Sequence, residues 1–188
     1  MNDIINIPKT EIGDHKQSLK ENTIKYWDKD YINNKLDGIK NINHQMLIRF
    51  LWMTGFRITE VLNIRKKDID FENYLIKLRW LKSRKFKYRI APLHPNLRDI
   101  LMLYVSPFKT DEIIFNISRQ RAWQIVQKYL GGKPHKLRHS FAVNWLLNEG
   151  NIVMLSKIMG HKYIKTTMKY LEIVPIDQGK ELMKIKFK

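Results

Sequence analysis

Glycine and proline punctuate this chain at short intervals, and that spacing limits it to short elements. Thr54-Gly55 closes one apolar-periodic run, Pro92 and Pro95 close another, and Gly131-Gly132, Gly150 and Gly160 stand where helix C-terminal caps are expected. No stretch approaches the roughly 20 apolar residues that span a bilayer. The start, Met1-Asn2-Asp3-Ile4-Ile5, lacks the basic end and apolar run of a secretion signal. The 188 residues contain no cysteine, which excludes disulfides, thiolate catalysis and cysteine-ligated zinc. A cytoplasmic protein with one moderate core is the expectation.

Between these breaks the periodicities are mixed. Residues 1–24 are polar and aperiodic and contain Pro8 and Gly13, so they read as an arm or linker. Ile42, Met46, Leu47, Phe50 and Leu51 make one buried stripe and predict a helix over 42–54. Thr59 is placed to begin a short helix carrying Val61 and Leu62. Residues 74–80 and 85–91 read as strands, because Phe86, Tyr88 and Ile90 alternate with Lys85, Lys87 and Arg89. Leu81-Lys82-Ser83-Arg84 would link them as a hairpin without glycine. Helices are expected near 95–104, 118–130, 139–149, 152–159 and 165–173. The fold class is α+β, mainly α-helical, with one small antiparallel sheet.

Charge points to a partner. There are 35 Lys and Arg against 18 Asp and Glu, a formal net charge of +17 with neutral histidines. A surplus of this size is a property of the surface, and its usual complement is a polyanion. It is densest in the hairpin: from Asn73 to Arg98 no acid occurs, while Lys77, Arg79, Lys82, Arg84, Lys85, Lys87, Arg89 and Arg98 are basic. This is an electrostatic track against phosphates or a solvated basic edge that resists aggregation. Ser118-Arg119-Gln120-Arg121-Ala122-Trp123-Gln124 opens a helix with two arginines and two glutamines, a major-groove element or a solvated face.

One ordered set carries chemistry. His135-Lys136-Leu137-Arg138-His139-Ser140 is followed by Gly160-His161, and Tyr170 comes nine residues after His161. Upstream stands Thr54-Gly55-Phe56-Arg57-Ile58-Thr59-Glu60-Val61. Arginine clamps phosphate with a planar fork of donors, histidine handles protons near neutrality, and tyrosine can attack phosphorus and be carried as an ester. Two guanidiniums can stabilise the charge of an in-line displacement without a metal. His139 is expected to be a structural residue of its helix, and Tyr163 is a badly spaced competitor of Tyr170.

With the hairpin ending Arg89-Ile90-Ala91-Pro92-Leu93, these motifs resemble the catalytic domain of the tyrosine recombinases, the phage-integrase and Xer-like family, over about residues 25–175. The resemblance implies a site-specific recombinase or integrase that cleaves and rejoins double-stranded DNA through a 3′-phosphotyrosyl intermediate. It implies no cofactor and no metal, and a homo-oligomer, a tetramer, on DNA. Arg57 and Arg138 would hold the scissile phosphate, His135 and His161 would complete that cradle, and Tyr170 would be the nucleophile. Lys82 would protonate the leaving 5′ oxygen, with Lys85 the alternative. Candidate DNA contacts are Arg79, Arg84, Lys85, Lys87, Arg119 and Arg121.

Two other functions use the same elements: DNA relaxation of the type IB topoisomerase kind, and a non-catalytic DNA-binding module of this fold. Relatives in the family usually carry a helical DNA-clamping domain ahead of the catalytic one, which 24 polar residues cannot form; a minimal enzyme or a fragment is expected. In residues 176–188, the alternation Met183-Lys184-Ile185-Lys186-Phe187-Lys188 predicts a terminal strand. That tail would pair with a sheet edge, in cis when the chain is alone and in trans on DNA.

Overall fold

The computed structural model describes residues 24–82 and 85–174. The arm at 1–23, the hairpin link Ser83-Arg84 and the tail from Pro175 onward lie outside the described residues, and so does the expected terminal strand.

Helices α1 (Lys29–Asp37), α2 (Ile42–Thr54) and the short α3 (Ile58–Val61) open the fold. The α1 helix was not expected from the sequence. Its start is set by Asp28, whose carboxylate accepts from the Tyr31 N–H at 2.7 Å. Asn41 caps α2 in the same way through the His44 N–H. A three-stranded antiparallel sheet follows, in the order β1 (Ile69–Asp70), β2 (Leu75–Lys82) and β3 (Lys85–Pro92). The two-residue β1 was also unexpected, being too short to show a period.

Four longer helices and a broken one complete the described part of the chain. They are α4 (Pro95–Tyr104), α5 (Arg119–Leu130), α6 (Pro134–Leu147), α7 (Ile152–Met159) and α8 (Lys165–Met168), with a 3₁₀ turn at Lys169–Glu172. Ser118 caps α5 by accepting from the Arg121 N–H at 3.0 Å. Asn151 caps α7 through the N–H groups of Val153 and Met154. The main core lies between α2, α4, α5 and the inner face of β2, with Leu47, Phe50, Leu51, Ile76, Leu78 and Val126 buried. A smaller cluster of Ala142, Val143, Leu155, Met159, Tyr170 and Val174 fastens the segment from Tyr170 to Val174 to α6 and α7.

Several boundaries differ from the sequence-based expectation. Helix α6 starts at Pro134, not near 139, so His135 and Arg138 are helical. Proline at the first helical position has its φ preset and lacks an N–H that would be unpaired there anyway. At the far end of α6 the positive φ falls on Glu149 (58°) and not on Gly150. Gly150 is small for another reason: a Cβ there would lie 2.2 Å from Trp145 Nε1. The expected helix over 165–173 is one α turn and one 3₁₀ turn. The hairpin strands run through Lys82 and from Lys85, which are paired in register, so the link is shorter than four residues.

The alternation in β3 marks a strand but not an apolar inner face. Tyr88 and Ile90 are exposed at 51% and 68%. Arg89, paired with buried Leu78, turns inward.

Candidate active site

Helix α6 carries His135, Arg138 and His139 at i, i+3 and i+4, so these three side chains share one face. Arg138 is 2% exposed. Its Nη1 donates to the Gly55 carbonyl at 2.6 Å and its Nη2 to the Met159 carbonyl at 2.8 Å. Those contacts tie α6 to the ends of α2 and α7. Burial, and then repulsion from Arg57, lower its pKa to about 10, which still leaves it charged at neutral pH.

Both carbonyl-bearing turns need glycine. Gly55 ends α2 at φ +61°, and a Cβ there would lie 2.3 Å from Phe141 Cδ1 on α6. Gly160 ends α7 at φ +65°, with Arg89 Nε 2.8 Å from where a Cβ would be. Its carbonyl accepts from Arg57 Nη2 at 3.1 Å. Each of the two phosphate-binding candidates is thus anchored on a helix-ending glycine.

Arg57 precedes α3 and its side chain is 44% exposed. Glu60, one turn on, accepts the Arg57 backbone N–H at 2.9 Å and its Nη1 at 3.2 Å. The same carboxylate, 2% exposed, accepts Arg89 Nε at 3.3 Å and Nη2 at 3.1 Å. Arg89 Nη1 reaches the Ile158 carbonyl at 2.6 Å, and its guanidinium lies 5.1 Å from the Phe56 ring centroid. One buried carboxylate therefore links the first arginine, the hairpin and α7. Burial pushes the Glu60 carboxyl up, but the hydrogen bonds and charges of Arg89 and Arg57 outweigh it and hold it below the ordinary value.

His161 sits between Arg138 and Thr167. Its Nε2 is 2.9 Å from Arg138 Nη2 and its Nδ1 is 2.7 Å from Thr167 Oγ1. Burial, then Arg138 and Arg57, lower its pKa to about 4. His135 is exposed at the start of α6, its ring 4.5 Å from that of His139. Desolvation by its neighbours, then Arg138 and Arg57, lower its pKa as well.

Tyr170, on the 3₁₀ turn, is 3% exposed. Its hydroxyl lies 2.8 Å from His139 Nδ1. His139, expected to be a structural residue of its helix, thus contacts Tyr170 directly. Burial raises the Tyr170 pKa and the charge of Arg138 opposes that rise. Tyr163, the competitor, is 62% exposed beneath Lys162.

The structure brings Arg57, His135, Arg138, His161 and Tyr170 into one electrostatically coupled neighbourhood. Glu60, Arg89, His139 and Thr167 belong to it and were not among the candidates. The expected DNA contacts are in different situations. Arg79 donates to Asp68 Oδ2 at 3.3 Å and is largely satisfied within the fold. Lys87, Arg119 and Arg121 are exposed. Lys82 and Lys85 close the hairpin ladder, and Arg84 lies outside the described residues. Among the described residues, no three His, Asp or Glu side chains gather as metal ligands would.

Residues 25–175 match the Phage integrase family, over most of the chain. The chain belongs to that family. Tyrosine recombinase XerA of Saccharolobus solfataricus is 31% identical over 172 residues, covering 88% of this chain and 58% of the relative. Tyrosine recombinase XerC of Staphylococcus aureus strain JH9 is 31% identical over 157 residues, 73% of this chain and 51% of the relative. The chain therefore spans little more than half the length of these relatives.

Among solved structures, the catalytic domain of bacteriophage HP1 integrase aligns with a TM-score of 0.67 at 24% identity. That alignment covers 87% of this chain and 95% of that one. A XerH site-specific recombinase bound to a palindromic difH substrate aligns at 0.67 and 20% identity, over 98% of this chain and 59% of that one. These likenesses establish the integrase-family fold. Among the described residues, no helix is long and apolar enough to cross a membrane.

Proposed function

We propose that this chain is the catalytic portion of a site-specific DNA recombinase, with Tyr170 as nucleophile. One observation carries the proposal: a buried tyrosine, hydrogen-bonded to His139, shares its site with two arginines that separate elements bring together. The formal charge of +17 suits a double-stranded DNA substrate. So do the DNA-bound relatives of the same fold.

In this mechanism the Tyr170 oxygen attacks the scissile phosphorus, the 5′ oxygen leaves, and a 3′-phosphotyrosyl bond holds the strand until a 5′ hydroxyl reverses the step. Arg57, partly open to solvent, and Arg138, fixed from behind by two carbonyls, are placed to take the charge that gathers on the non-bridging oxygens. Supplying that charge through two guanidiniums makes the reaction metal-independent. His161 holds Arg138 from the side, and Lys82, or Lys85 beside it in register, protonates the leaving oxygen. Strand exchange requires several copies on DNA, and a homotetramer is the proposed assembly.

A nicked DNA substrate that loses the fragment bearing the new 5′ hydroxyl on cleavage traps the covalent complex. The wild-type chain should give a denaturant-resistant, protease-sensitive adduct, and Tyr170→Phe should give none while its DNA binding stays within about twofold. An adduct from the Phe variant would transfer the role to Tyr163.

A further inference from the structure

Tyr170 has to lose its phenolic proton as its oxygen bonds to phosphorus, and burial makes that loss harder. Neither of the two histidines expected to complete the phosphate cradle holds the Tyr170 hydroxyl, whose hydrogen bond goes to His139 instead. His161 faces the Thr167 hydroxyl with one ring nitrogen and the Arg138 guanidinium with the other. Since Arg138 can only donate, the second nitrogen is an acceptor already in use, and His161 is the neutral tautomer with its proton on Nδ1. His135 is exposed, one helical turn before His139, and meets the His139 ring edge to face at 82°.

His139 differs. Its Nδ1 is 2.8 Å from the Tyr170 hydroxyl, within reach of direct transfer, and the two rings are 5.7 Å apart. We propose that His139 is a catalytic residue that takes the Tyr170 proton at Nδ1 as the phosphotyrosyl bond forms. This rests on the recombinase function proposed above. The phenolic O–H bond breaks, the proton goes to Nδ1 and the tyrosine oxygen bonds to phosphorus. The bond from phosphorus to the 5′ oxygen breaks, and that oxygen takes a proton from the hairpin lysine. Rejoining reverses each transfer: the 5′ hydroxyl attacks, the phenolate leaves and His139 returns its proton.

The surroundings keep His139 able to accept. The charged and titratable groups facing it are His135 and Arg138 from α6, His161 beyond α7, and Tyr170 itself. Burial, then His135, Arg138 and His161, hold its pKa at about 4, so it is neutral near pH 7. In the tautomer with its proton on Nε2, which the step requires, the Tyr170 phenol donates to the Nδ1 lone pair. Bound phosphate adds a negative charge facing the same cations, which favours the imidazolium formed in the step. Because His139 is adjacent to Arg138 on one helix, proton acceptor and phosphate clamp are held in fixed geometry.

Single-turnover trapping on the nicked substrate tests this with His139→Ala and His139→Gln, after thermal unfolding has shown which variant keeps the fold. DNA affinity should stay within about twofold, and the rate of adduct formation near pH 7 should fall by about 10²-fold or more. Added imidazole should restore part of the Ala variant's rate, and raising the pH toward the tyrosine pKa should narrow the gap, because hydroxide then removes the proton. In the DNA-free protein, Tyr170→Phe should shift the His139 Nδ1 ¹⁵N resonance and leave that of distant His94 unchanged.

A His139→Ala variant that traps DNA as fast as wild type overturns the proton transfer while the recombinase function stands. A loss of rate that neither imidazole nor pH relieves also overturns it, since a packing role would behave that way. An unmoved ¹⁵N resonance removes the contact itself. A wild-type chain that traps no DNA overturns the recombinase function and this step with it.

Discussion

His139 and His161 are held at about 4 against an ordinary 6.5, in both cases through burial first and neighbouring cations second. A histidine whose pKa is lowered by folding contributes its full stability above the unfolded value and loses it as pH falls toward the folded one. Stability should therefore be level above about pH 7 and fall from about 6.5 to about 4, with a proton each for His139 and His161 taken up on unfolding and a further contribution from His135 and His44, whose pKa values folding also lowers. Glu60, also lowered by folding, adds its loss at the acid end of that window. Urea midpoints measured from about pH 7.5 to about pH 4.5 read this directly, and His139→Gln should reduce the slope by one proton. A midpoint that does not move over that range would mean that these imidazoles are not buried as the structure has them.

At this scale the sequence was most legible where chemistry fixes spacing. Arg57, Arg138, His161 and Tyr170 stand out because their order and separation are hard to obtain by chance. Glu60 was not singled out because an acid three residues after an arginine looks like any i,i+3 surface pair, and Arg89 was read as one of the hairpin's basic residues, not as the partner of a buried carboxylate. The signal for His139 was its place four residues after His135, and a helix start read five residues late obscured that shared face.

Elements were legible in proportion to their length and caps. Helices α2, α4, α5 and α7 match the expected spans within a residue because a stripe and a cap agree in each. The short α3 and the break between α8 and its 3₁₀ turn depend on tertiary packing: Thr167 and Tyr170 are buried there while Met168 is exposed at 49%. The hairpin is the element whose function most needs its register. Lys82 pairs with Lys85, so both lysines stand at the same level of the ladder, on its two strands. Position alone does not choose between them, but chemistry does. A DNA substrate with sulfur in place of the 5′ bridging oxygen has a leaving group that needs no proton. It should restore cleavage to Lys82→Ala and leave Arg57→Ala impaired, because Arg57 acts on the non-bridging oxygens. Sulfur rescue of Lys85→Ala with none for Lys82→Ala would assign the acid to Lys85.

For the whole molecule, the formal charge of +17 is informative only once it is distributed. Some cations are consumed within the fold. Arg89 is bound to Glu60 and the Ile158 carbonyl, and Arg79 to Asp68. Lys87, Arg119 and Arg121 are exposed, on β3 and at the start of α5. Counterion release depends on which cations reach phosphates: each such contact adds about 0.9 to the slope of log K against log salt. Replacing Arg119 or Lys87 with Ala should therefore lower that slope by about one while the fold is unchanged. Arg79→Ala should lower it far less and should cost stability instead, because it leaves half-buried Arg79's partner Asp68, 7% exposed, without its cation. Fluorescence-anisotropy titrations over a range of salt, alongside urea unfolding of each variant, separate the two effects. If Arg79→Ala reduced the salt slope as much as Arg119→Ala and left unfolding unchanged, the Asp68 pair would open on DNA, and the hairpin would meet the phosphate backbone along its whole outer face.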